Sequence, residues 1–176
     1  MSFLDKWNKQ SPAIRFLILF VIVMVLFYFF YYSPLYENYL MNPLLNTQAR
    51  ISNVFLNILG QDTKVFGDII SSDDFSVSIK GGCDGVEATA LFLVAILVFP
   101  LSFKLKWPGI LLGLAVLSVL NIMRIAGLYL AGIYWPAAFE FLHLHGGVVV
   151  FTLIAIMLWM IWINWALKQK IKTGDV

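Results

Sequence analysis

The chain has 176 residues, of which 61% are hydrophobic and 12% charged, with a mean hydropathy of +0.86. An ordinary soluble domain is about 45–50% apolar and about 25% charged, so this excess of apolar side chain has to face lipid. A net charge of +2 with no basic stripe gives no footprint for nucleic acid, and a single cysteine, Cys83, excludes an internal disulfide.

In chain order, the first element is the apolar and aromatic run from Phe16 to Tyr32, bounded by Arg15 and by Ser33-Pro34. It lies within the range of about 17–25 residues that cross a hydrocarbon layer about 30 Å thick. Its aromatic end, Phe27 to Tyr32, suits an interfacial belt and lacks the small residues of a signal-peptide cleavage site. A long segment, 33–82, follows. Leu44, Leu45, Ile51, Val54, Phe55 and Ile58 recur at helical spacing and predict an amphipathic helix within Leu35 to Ile58. Beyond it, Phe75, Val77 and Ile79 alternate with Ser76 and Ser78, and Ser71 to Asp74 is turn material. With Lys64-Val65-Phe66 upstream, this predicts a short β-hairpin.

Three further apolar runs predict spans at 86–103, 108–134 and 148–167, the first two joined at Lys104–Lys106 and the last ending at Lys168, Lys170 and Lys172. The expected fold is therefore an all-α polytopic membrane protein with four transmembrane helices and an extracytoplasmic segment. Orientation follows from the basic residues. A cytoplasmic N-terminus puts Lys6, Lys9, Arg15, Lys104, Lys106, Lys168, Lys170 and Lys172 inside, eight of the twelve. Both ends are then expected in the cytoplasm, with segment 33–82 outside.

The residues with chemistry are Gly81-Gly82-Cys83-Asp84-Gly85, Glu87, Asn121 with Arg124, and the pair His143 and His145. An arginine within a span is costly and is a functional hypothesis by default. From Pro108 to Arg124 is roughly 24 Å at about 1.5 Å per residue, which places Arg124 near the outer interface. Cys83 lies at the outer end of the second span and His143 in the outer loop before the fourth, so three segments bring a thiol, a guanidinium and an imidazole to one layer. Cys reacts as the thiolate, His suits general base and acid duty, and Arg stabilises a thiolate or an oxyanion. Together they suit acyl transfer through a thioester. A single Cys disfavours disulfide redox chemistry, and two His at i, i+2 with one Cys make a weak metal site, so no cofactor is expected.

Gly82-Cys83-Asp84-Gly85-Val86-Glu87-Ala88, Asn121-Ile122-Met123-Arg124-Ile125 and Phe139-Glu140-Phe141-Leu142-His143 resemble, in this order, motifs of the exosortase/archaeosortase family, most closely the short form called exosortase H. The resemblance covers roughly Gly81 to Leu167. It implies a membrane-embedded cysteine protease or transpeptidase of a bacterial cytoplasmic membrane, with Cys83, Arg124 and His143 as catalytic residues at the outer face. It also implies the partner: exported proteins whose C-terminal signal joins a short motif, of Ile-Pro-Thr-Leu type for this branch, to a transmembrane helix and a basic tail. Two departures from the family pattern stand out. His145-Gly146-Gly147 stands where a Tyr and an apolar-Trp pair are expected, leaving His143 and His145 both as bases with the motif favouring His143. Asp84 stands where many relatives have Ser or Asn, and a carboxylate aimed at the sulfur would oppose thiolate formation, so it is expected to point away. The competing reading is a non-catalytic transporter subunit or assembly scaffold, in which Arg124 pairs with Glu87 or Glu140 and Cys83 merely packs.

Overall fold

The computed structural model describes residues 10–143 and 147–173. His145, Lys6 and Lys9, which entered the sequence expectations, lie outside the described residues. Helix α1, Pro12–Tyr31, begins at a Ser-Pro pair: Ile14 N–H donates to Ser11 Oγ at 3.3 Å, while Pro12 occupies a position whose N–H has no intrahelical partner. The same device restarts the chain two residues after α1 ends. Tyr36 N–H donates to Ser33 Oγ at 3.3 Å ahead of α2, Pro34–Tyr36. A π-helical turn, Glu37–Met41, leads into α3, Asn42–Ile58. The widened turn sits just before Pro43, whose missing N–H removes one rung of the ladder.

Strands β1 (Lys64–Phe66), β2 (Ile69–Ser71) and β3 (Ser76–Ser78) form an antiparallel meander in that order, with Val65 opposite Ile70 and Ile70 opposite Val77. Helix α4, Val86–Val98, then runs back toward the start of α1. It is followed by α5 (Phe103–Tyr134), α6 (Pro136–Phe141) and α7 (Gly147–Thr173). Helices α1, α5 and α7 are each long and apolar enough to cross a bilayer, while α4, with 13 residues, is a shorter apolar helix.

Two cores meet along α5. In the first, Phe92 and Ile96 of α4, Ile110 and Leu117 of α5, and Phe151, Ala155 and Trp162 of α7 pack together. The second lies toward the C-terminal end of α5. There Leu45, Ala49 and Leu56 of α3 and Ile70 of β2 close over Ile125, Ala126 and Tyr129. Helix α1 is the loosest member. At one end Phe16 packs on Phe99 and Trp159, with ring centroids 5.6 and 6.0 Å away, and at the other Tyr31 reaches the turn before α4.

The structure departs from the sequence expectations in three places. The expected hairpin is a three-stranded meander, because Ile69-Ile70-Ser71 forms the middle strand after a two-residue turn at Gly67-Asp68. The apolar run from Val86 stops being helical at Val98, since Pro100 cannot donate to the helix ladder. The connection to the next helix is therefore 99–102, not Lys104–Lys106. Both lysines lie in α5, and Lys106 is buried, its Nζ donating to the Leu97 carbonyl at the end of α4. A cation there satisfies a terminal carbonyl and favours the negative end of the helix dipole.

Candidate active site

The site is assembled around the turn that precedes α4. Cys83 N–H donates to the Lys80 carbonyl at 2.9 Å, and Gly82 N–H donates to Tyr31 Oη at 3.1 Å. The Asp84 carbonyl accepts from Gln48 Nε2 of α3 at 2.8 Å and from Asn121 Nδ2 of α5 at 2.9 Å. Residues from α1, α3 and α5 thus pin one short loop. Gly85 ends it with φ at 73°, and a Cβ there would come within 3.0 Å of Asn121, so this position requires glycine for both its conformation and its space.

Asp84 is buried, and both of its carboxylate oxygens have partners other than the sulfur. Its Oδ1 accepts from Val86 N–H at 3.1 Å and its Oδ2 from the Tyr31 hydroxyl at 3.4 Å. Burial pushes the carboxyl above the usual range, while the Val86 N–H and the Tyr31 hydroxyl hold it down.

Arg124 lies one helical turn beyond Asn121 on α5 and reaches the same loop. Its Nη2 is 3.7 Å from Cys83 Sγ and its Nη1 3.5 Å from the Cys83 carbonyl oxygen. The guanidinium carbon sits 5.7 Å from the centroid of Phe151, within cation–π range. A side chain at Gly147 would collide with this guanidinium, so the glycine that departs from the family pattern makes the room Arg124 occupies. Glu87 and Glu140 lie elsewhere. Glu87 lines, with Tyr31, Tyr32, Glu37, Gly81 and Gly82, a cavity of about 350 Å³ beside the Cys83 turn, and Glu140 is exposed.

His143 completes the group, with Nδ1 3.8 Å from Cys83 Sγ. Its ring lies parallel to that of Phe139, one turn earlier, with centroids 5.6 Å apart and planes 6° from parallel. Cys83 is half-buried, and burial pushes its thiol up. The Arg124 charge draws it down, the Asp84 carboxylate pushes it up again, and hydrogen bonding to Arg124 lowers it, the net effect being upward. Such a thiol rests protonated at neutral pH and needs a base within reach, which His143 is placed to be. Among the described residues, no three His, Cys, Asp or Glu side chains come together as metal ligands.

Cys83, Arg124, His143 and Asn121 are therefore brought together, and Glu87 is not. Sequence reasoning did not find Tyr31, Gln48 or Gly147. The first two lie far along the chain from the motifs they support, and no local pattern marks them. Gly147 was visible only as a departure from the family's usual residues.

No curated protein and no solved structure matches the chain. The family model for transmembrane exosortases matches residues 8–160, a range that takes in α1, the sheet, the Cys83 turn, Arg124 and His143. Matching most of its length, with several helices able to cross a bilayer, the chain is a multi-pass membrane protein that belongs to the transmembrane exosortase family.

Proposed function

We propose that the protein is a cysteine transpeptidase or endopeptidase that cleaves the C-terminal sorting signal of exported proteins at the outer face of the bacterial cytoplasmic membrane. The observation that carries this reading is the convergence of Cys83 Sγ, His143 Nδ1 and Arg124 Nη2 within 4 Å of the sulfur, from three separate segments. In this reading four helices cross the bilayer. The short α4 is consistent with a crossing, because its two ends meet Tyr31 and Phe16 of α1, positions about 22 Å apart along that helix at about 1.5 Å per residue. Both termini are cytoplasmic, following the lysine distribution, so that the Cys83 end faces outward.

The chemistry then runs as follows. His143 takes the Cys83 proton as the sulfur attacks the scissile carbonyl, and Arg124 stabilises the oxyanion of the tetrahedral intermediate. His143 returns the proton to the leaving amine, which departs with the substrate's transmembrane helix and basic tail. The upstream portion remains as a thioester on Cys83 until an amine or water releases it. The exosortase H likeness points to signals of the Ile-Pro-Thr-Leu type.

The test is co-expression with a reporter ending in such a motif, a transmembrane helix and a basic tail. Wild-type protein is expected to shorten the reporter. Cys83→Ala and Arg124→Ala are expected to leave it full length while still accumulating in the membrane. Normal processing by Cys83→Ala would remove the nucleophile from this account.

A further inference from the structure

The three-stranded sheet is joined to His143 by a file of aromatic ring contacts. Phe75, on the turn between β2 and β3, meets Tyr129 of α5 edge-to-face at 5.8 Å and Phe139 of α6 edge-to-face at 5.6 Å. Phe139 in turn stacks on His143. The file is anchored at its sheet end. Phe75 lies over Gly132, where a Cβ would collide with the ring, and Tyr129, fully buried, donates its hydroxyl to Ser72 Oγ at 2.7 Å, tying the β2–β3 turn to α5.

His143 itself lies two residues beyond the end of α6. Helix α6 has six residues and no buried side chain, so it cannot hold an imidazole in place by packing of its own.

We propose that Phe139 and Phe75 are positioning residues for the proposed reaction: the sheet braces Phe139, and Phe139 holds His143 facing Cys83. This gives the segment between α3 and α4 a definite task, and it rests on the reading of His143 as the base. Among the described residues, the charged groups that act on the sulfur are Arg124 on α5 and Asp84 in the Cys83 turn, while Lys80 and Glu140 on the flanking segments are exposed. None of them is altered by the variants below.

The test uses the full chain in isolated membranes, where Cys83 is the protein's own single thiol. The rate of its alkylation by iodoacetamide is followed against pH beside reporter cleavage. Phe139→Leu is expected to lower cleavage about tenfold and to move the alkylation profile to higher pH, in the direction of His143→Ala but less far. Phe139→Tyr keeps the ring and is expected to restore both readings. Phe75→Leu is expected to act in the same direction by about threefold, and it carries the test if Phe139→Leu fails to accumulate. A profile moved by His143→Ala but unmoved by Phe139→Leu and Phe75→Leu would overturn the brace alone. A profile unmoved by His143→Ala would instead overturn the assignment of the base.

Discussion

The two cores of this protein differ in how they are held and in what they hold. The core between α4, α5 and α7 is made of large apolar side chains on long helices, and it carries the Arg124 guanidinium above it. The core under α3 and the sheet is built from short elements around Ile70, Leu56 and Tyr129, and it meets the site through Gln48 and the Phe75–Phe139 rings. A long helix can cross lipid because its backbone groups pair within the segment. Three-residue strands cannot stand alone and depend on packing against α3 and α5. The first region therefore fixes depth, and the second fixes orientation.

The largest expected effect of breaking the first region at the site comes from Arg124. Arg124→Ala should reduce reporter cleavage by about 10²–10³, the scale for losing one donor to a developing oxyanion, as measured from initial rates. Arg124→Lys should recover little, because a point charge does not reproduce the two-nitrogen reach to sulfur and carbonyl. Gly147→Val tests the same contact from the other side. Its side chain would displace the guanidinium, and a loss approaching about a hundredfold is expected with membrane accumulation retained.

Stability separates the two regions next. Phe92→Ala, at the centre of the helical core and 1% exposed, should cost about 3–5 kcal/mol and deplete the protein from the membrane, as a quantitative blot would show. Ile70→Ala, in the second core, should leave the long helices protected from protease while cleavage falls. Equal depletion by both would mean that the two cores fold as one unit.

Asp84 gives a pH effect of smaller size. Its carboxylate raises the Cys83 thiol, so Asp84→Asn should increase the thiolate fraction wherever the wild-type carboxyl is ionised and move Cys83 alkylation to lower pH. The difference should fade at acid pH, where the wild-type carboxyl is itself protonated. The smallest effect is expected from Tyr129→Phe, which removes one hydrogen bond to Ser72 worth about 1 kcal/mol and should shift cleavage only a few-fold.

The same contrast explains what was legible in the sequence. Helices α1, α5 and α7 follow from long, predominantly apolar runs, because lipid imposes a simple composition on anything that crosses it. That Cys83, Arg124 and His143 come together was legible because depth arithmetic and motif order agreed. Strand β2 was not, although Gly67-Asp68 between Phe66 and Ile69 is a two-residue hairpin signal and marks its start. Lys106 was read as a loop residue, since nothing local shows that a lysine will bury itself to cap the end of α4. Tyr31 and Gln48 touch the Cys83 turn across 51 and 36 residues of chain, and such contacts are properties of the packing alone.

The central claim is that Cys83 carries the upstream part of a substrate as a thioester. Its most direct measurement is mass spectrometry of the reporter's new C-terminus after membranes are supplied with hydroxylamine during turnover. The account predicts a C-terminal hydroxamate with wild-type protein and none with Cys83→Ala. Cleavage by Cys83→Ala, or a wild-type product that never carries hydroxylamine, would contradict it.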